Sequence, residues 1–262
     1  MIENFVFRGD PTVLALFVLV VLVLAVELPY RFGGKLVRAE HVPEGAWNTV
    51  YAGLLALVAF VVGLSYAQAA GRFDERRALV VKEANAIGTT WLRADQLPAQ
   101  DAARFKSLLL RYAQVRFQAY SHPGKLDLFN QEIDQSKSDL NTLWNIASPS
   151  LKQRDTDLGL SLLMQTLNDT IDVSEEQYTA LTQHVPTSVV VLMFLLLVLA
   201  TAATGFSFAR LQARPTVFAA MYVFALAVVF LTIVDVDRPQ SGFIRVSLAA
   251  LSDQIHEMES SR

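Results

Sequence analysis

The chain has 262 residues, 53% of them hydrophobic and only 18% charged, with a formal net charge of −3. A soluble domain is usually nearer half apolar and a quarter charged, and here the excess is gathered into four blocks, as membrane spans are. The charge excludes a nucleic-acid binder, the lack of cysteine excludes disulfides, thiolate nucleophiles and Cys-ligated metals, and no phosphate loop or dinucleotide fingerprint occurs.

The first block covers residues 12–28. The segment before it is weakly charged and no A-x-A site follows Leu28-Pro29, so it reads as a retained span, not a cleaved signal peptide. Glu27 is the acid set furthest into a block, and its place near the block's end reads as interfacial. The second span covers residues 50–67, the third 188–208 (entered through Pro186) and the fourth 217–234 (entered through Pro215). Each has about 17–21 residues, enough to cross the hydrocarbon core, and must be helical because lipid offers the backbone no partners. His41, His122, His184 and His256 all fall outside the blocks, which excludes an embedded bis-histidine haem.

The second span runs on without a proline until Pro98, so one helix is expected from the bilayer to Arg93. A second soluble helix is expected over 99–120, with Phe105, Leu108, Leu109, Tyr112 and Val115 on one face and a break at Pro123-Gly124. A third carries Phe129, Ile133, Leu140 and Trp144 and ends near Ser148-Pro149-Ser150. A fourth, 151–184, carries Leu160, Leu163, Leu167, Ile171, Tyr178 and Leu181. These spacings suit bundle packing. Pro239 and Gly242 form a turn after the last span, and Ser247 caps a tail helix with Leu248, Leu251, Ile255 and Met258 on one face.

The expected fold is therefore all-α: four transmembrane helices, with an extramembrane antiparallel four-helix bundle between the second and third. The chain divides into 1–49 (first span and loop), 50–93 (second span and its extension), 94–186 (rest of the bundle), 187–235 (third and fourth spans) and 236–262 (tail). Basic residues in short loops (Arg31, Lys35, Arg38, Arg210, Arg214) favour an outside bundle. Counting all span-flanking residues, with Arg8, Arg72, Arg76, Arg77, Lys82, Arg238 and Arg245 on the bundle side, favours the reverse.

At the foot of the second span, Arg72, Arg76 and Glu83 fall on nearly one helical line, and Arg77 lies beside them. Such a line is either a solvated face or part of a vestibule. Asp235, Asp237, Arg238 and Arg245 follow the fourth span on the same side. They either fix helix ends or form a charged ring at a pore mouth. Within the second span, Ala52, Ala56, Gly63, Ala67 and Gly71 form a small-residue seam suited to close helix approach. The opposite surface offers Leu57, Phe60, Val61 and Leu64, which face lipid or a neighbouring helix, or form a hydrophobic constriction if they line an oligomer axis. Thr201, Thr204 and Ser207 on the third span suit back-bonding or helix glue. No H-E-x-x-H, no G-x-S-x-G and no reactive His-Asp-Ser set occurs, so no enzyme, cofactor or metal is expected.

Several segments carry a resemblance. Arg72-Phe73-Asp74-Glu75-Arg76-Arg77, then Glu83 through Ala94 with Leu97-Pro98, resembles the bestrophin-like family. So do Arg111-Tyr112 and the exit Asp235-Val236-Asp237-Arg238-Pro239 with Ser241 through Ser247. The likeness runs from about Gly53 onward, and bestrophins are pentameric ion channels whose second span lines the pore. It implies a multi-pass cell-membrane protein in contact with lipid, a homo-oligomer (a pentamer) passing small inorganic ions, with the bundle and both termini cytoplasmic. No match to the bestrophin calcium-binding acidic cluster is found. The alternative is a membrane-anchored sensor or scaffold whose bundle mediates protein–protein signalling.

Overall fold

The computed structural model describes residues 6–7, 9–39, 43–121, 126–153, 157–212, 215–238 and 242–261. Its helices in chain order are α1 (Pro11–Ala39), α2 (Glu44–Arg93), α3 (Ala99–Ser121), α4 (Leu126–Gln153), α5 (Leu158–Thr182), α6 (Thr187–Leu211), α7 (Thr216–Asp237) and α8 (Ala249–Ser260). A 3-10 turn, Ala94–Gln96, follows α2. No strand occurs among the described residues. The expected breaks at Pro123-Gly124 and Pro239 lie outside them.

Four helical segments are long and apolar enough to cross a membrane, and α1, α2, α6 and α7 carry them. The chain divides into two compact units: residues 1–72 with 184–244, and residues 73–183 with 245–262.

In the first unit α1 packs along α6 and touches α7. Glycine sets the closeness of the α1–α6 pair: a Cβ on Gly205 would overlap the Val26 carbonyl, and one on Gly33 would strike the Phe206 ring. Asp10 caps α1, accepting from Thr12 N at 2.7 Å and from its hydroxyl at 2.5 Å. Glu27 accepts from Arg31 Nε at 2.5 Å, one turn on. Thr201, Thr204 and Ser207 bond back to the carbonyls of Leu197, Ala200 and Ala203.

The second unit is a bundle with heptad-like seams. On α4 the buried positions Ile133, Ser136, Leu140, Leu143, Ala147 and Ser150 alternate steps of three and four, with Asp139 buried beside Leu140. Trp144, expected on that face, stands one residue off it and is 38% exposed. α4 also continues through Pro149 to Gln153, although an interior proline removes a helical hydrogen bond. α5 begins at Leu158, later than expected, because the Asp157 carboxylate accepts from Leu160 N and starts the helix there. On α5 the buried seam at steps of three and four is Leu160, Leu163, Leu167, Thr170, Ser174 and Gln177, with Met164, Thr166 and Val173 buried beside it, so the seam itself turns polar halfway along. Ile171 and Leu181 pack only partly buried at its edge.

The tail helix α8 belongs to this core, since Leu251, Ile255 and Met258 are buried in it and α8 packs on α3. Gly88 of α2 lets the helices approach, because a Cβ there would meet the Gln254 side chain. The second unit thus has a helix more than the expected four. The cap position of α8 is Leu248 and not Ser247 as expected, and it makes no side-chain cap bond; the Ser247 hydroxyl, one residue earlier, accepts from Ala249 N at 3.3 Å.

Candidate functional site

α2 has 50 residues, about 75 Å at 1.5 Å per residue. It is also the least covered of the apolar helices. Only 11% of its most apolar stretch is buried, against 22%, 44% and 28% for the stretches of α1, α6 and α7. Its attachment within the first unit is narrow. Trp47 Nε1 donates to Ser207 Oγ at 3.0 Å, and the Tyr51 and Thr204 hydroxyls lie 2.9 Å apart. Val58, Ser65 and Ala69 are the buried positions, and Ser65 donates to the Val61 carbonyl at 2.8 Å.

Much of the rest of that span is bare in one protomer. Leu57, Phe60 and Leu64 are 48%, 68% and 49% exposed, at steps of three and four. Val61 is half-buried, on the side of Val58 and Ser65. Ala52, Ala56, Gly63, Ala67 and Gly71 are all exposed, and a Cβ on Gly53, Gly63 or Gly71 would meet nothing within 4 Å. The small-residue seam therefore has no partner helix among the described residues.

Beyond the span, the expected charged line is rearranged by burial. Arg72 is half-buried and Arg77 exposed, but Arg76 and Glu83 are sealed in the bundle, in line with Thr90 at heptad spacing. Arg76 is a helix cap: its Nε donates to the Ala180 carbonyl at 2.9 Å and its Nη2 to the Gln183 carbonyl at 2.6 Å. A guanidinium there satisfies the last carbonyls of α5 and complements the helix dipole.

Glu83 anchors a buried polar cluster. Its Oε1 accepts from Arg116 Nε at 2.7 Å and from the Tyr112 hydroxyl at 2.8 Å. Arg116 Nη2 also reaches Gln177 Oε1 at 3.0 Å and the Ser174 carbonyl at 3.4 Å. Tyr120 donates to the same Gln177 oxygen at 3.0 Å and sets its ring 4.8 Å from the guanidinium carbon. Within the polar half of the α5 seam, Gln177 meets this arginine with its side chain and Ser174 with its backbone carbonyl. Burial works to lower the pKa of Arg116, but Glu83 and the two tyrosines outweigh it and the guanidinium stays charged. Burial, and then the Glu83 carboxylate, push the Tyr112 phenol well above its ordinary value. Thr90 and Thr170 continue the polar contact between α2 and α5, their hydroxyls 3.2 Å apart.

Where α7 ends, the acids bind backbone. Asp235 accepts from Phe243 N and Ile244 N, both at 2.9 Å, one to each oxygen. A Cβ on Gly242 would press on that carboxylate. Asp237, buried, accepts from Val185 N at 2.8 Å and lies 3.7 Å from His184 Nδ1. His184 stacks on Phe7 at 4.5 Å. Arg238, also buried, donates from Nε and Nη2 to the Val6 carbonyl. Burial lowers its pKa, while Asp235 and Asp10 act to raise it. Arg245 lies exposed at the head of the segment leading to α8.

Sequence reasoning chose Glu83 but missed Arg116, Tyr120 and Gln177. One signal was available: Arg116 sits four residues after Tyr112, on the apolar face of α3, where a charge needs a buried partner.

The Bestrophin-like domain family matches the chain over residues 14–251. Among solved structures, the chain is similar to a bacterial bestrophin homologue from Klebsiella pneumoniae. A tryptophan-to-alanine variant of that protein aligns with TM-score 0.67 and 16% identity, covering 93% of each chain. A leucine-to-threonine variant aligns at 0.65 and 18%, covering 97% of each. The form solved by zinc phasing aligns at 0.62 and 17%, covering 94% of this chain and 97% of that one. No curated protein matches the chain in sequence.

Proposed function

The chain belongs to the bestrophin-like domain family, and from that premise we propose that it is one subunit of an oligomeric membrane channel for small inorganic ions, with α2 lining the pore. One observation carries this reading: the α2 span is apolar, yet it is the least buried of the four in a single protomer. A ring of subunits gives that surface its partners. The line Leu57, Phe60 and Leu64 faces the axis as a hydrophobic neck of the kind that gates by dewetting. The small-residue line, Ala52, Ala56 and Gly63, lies by helical period beside that line and not opposite it as expected, and takes the flank of the next subunit's helix. Arg72, Arg77 and the acids in the last turn of α7, Asp235 and Asp237, shape the charge near the pore's end. By its family the ring is a pentamer, with the bundle and both termini in the cytoplasm.

The test combines assembly with conduction. Purified protein is sized by mass in detergent and fused into planar bilayers. The reading expects a ring of identical subunits and unitary currents whose amplitude changes in Phe60→Ala. A folded monomer or dimer with silent bilayers contradicts it and favours a membrane-anchored scaffold.

A further inference from the structure

We propose that the groove between the start of α1 and the end of α7 is a binding site for one acyl chain of a membrane phospholipid. The groove is a cavity of about 290 Å³. Leu14 and Ala15 form one wall, Val228 and Leu231 the other, and Asp235 and Arg238 stand at one end. Val228 and Asp235 are two turns apart on α7, so the groove is about 10 Å long. A leaflet's hydrocarbon is about 15 Å deep, half of a 30 Å core. The groove therefore matches the upper part of a single chain.

Three features choose this occupant over a polar ligand. The groove is mostly apolar, with Thr232 the one uncharged polar residue in its lining and the charged groups, Asp235 and Arg238, gathered at its mouth, in the direction of an amphiphile entering from the interface. The polar groups at the mouth are engaged: both Asp235 oxygens hold backbone N–H groups, and Arg238 holds the Val6 carbonyl. They fix the shape of the mouth and offer a polar guest little. The turn they fix also displays Phe243, a lining residue that is 85% exposed. An aromatic ring exposed at a span's end suits the lipid interface, where it flanks the first carbons of the chain.

The test uses the full-length protein in phosphatidylcholine vesicles doped with phosphatidylcholine bearing a diazirine in mid-chain. Adducts are mapped on peptides after illumination. The proposal expects them concentrated on Leu14, Ala15, Val228 and Leu231 relative to Val13 and Leu16, which are 54% and 64% exposed on the same helix. Leu231→Trp, which fills the groove, should lower the yield there by about tenfold or more while leaving Val13 and Leu16 unchanged. Ala15→Leu, a milder filling, serves if the tryptophan variant fails to fold. Uniform labelling of all apolar faces, or labelling indifferent to filling, would mean annular lipid only and overturn the proposal. Crosslinks from the groove to a neighbouring copy in place of lipid would overturn it in favour of a subunit contact.

Discussion

Arg116 Nε lies 2.7 Å from Glu83 Oε1 with both side chains shut off from solvent, 1% and 0% exposed. Two charges pay heavily in desolvation to meet there, and the second Glu83 oxygen has no hydrogen-bond partner among the described residues. The pair joins α3 to α2 and, through Gln177 and Ser174, to α5. Each helix can occupy only the register that satisfies the arginine. The same α2 carries the bare apolar line of the proposed pore, so the cluster fixes the helical phase of its bundle stretch.

Breaking one partner should cost far more than replacing both. Glu83→Gln or Arg116→Met is expected to destabilise the protein by about 3–5 kcal/mol, because each strands a buried charge or its partners. The double variant should recover a large part of that loss. Chemical unfolding in detergent of the four proteins gives the coupling energy, and strictly additive losses would show that the pair is not coupled.

The buried phenols make stability fall in alkali. Tyr112 is raised by burial and Glu83, and Tyr120 by burial first, with Arg116 acting the other way. The folded chain thus keeps protons that the unfolded chain releases near the ordinary phenol value of 10.0. Their contribution is complete below about pH 10 and declines as pH rises from there toward the folded values. Unfolding measured from pH 9 upward should decline less steeply in Tyr112→Phe than in the unmodified chain. Parallel slopes would remove Tyr112 from the account.

Much of the architecture was legible because it rests on local pattern. The four spans, the uninterrupted α2 and the stripe of α3 follow from hydropathy, proline placement and helical period. The cluster was legible only in part. Glu83 stood out as a charge on a helix leaving the membrane, but the period cannot say which neighbour meets which face, so its line read as either a solvated face or part of a vestibule. Arg116 and Gln177 lie 33 and 94 residues from Glu83 in sequence, and only tertiary packing joins them. The place of α8 was hidden for the same reason: its stripe was visible, its partner α3 was not. Trp144 misled because a large aromatic attracts a core assignment that its phase on α4 does not support.

Gly205 sets the α1–α6 distance. Gly205→Ala puts a Cβ into the Val26 carbonyl and should cost about 1–3 kcal/mol, with Gly205→Leu worse. Thermal unfolding in detergent checks this. Gly53→Ala, which meets nothing within 4 Å, is the control and should be near neutral in the protomer.

The tail helix should behave as core. Leu251→Ala removes a fully buried side chain and is expected to cost about 2–5 kcal/mol, whereas Asp253→Ala on the exposed side should be close to silent. Protease resistance of the bundle reads the difference. A tail that tolerates Leu251→Ala without loss would separate α8 from the core.

The most direct test of the channel reading uses the absence of native cysteine. In Phe60→Cys each subunit carries a single thiol, so a small thiol-reactive cation added to an open channel in a planar bilayer can act only there. The account predicts that currents of this variant fall irreversibly on reagent while those of the unmodified chain do not. Currents equally indifferent in both, from protein shown by mass to be fully labelled at Phe60→Cys, would place α2 outside the conduction path and contradict it.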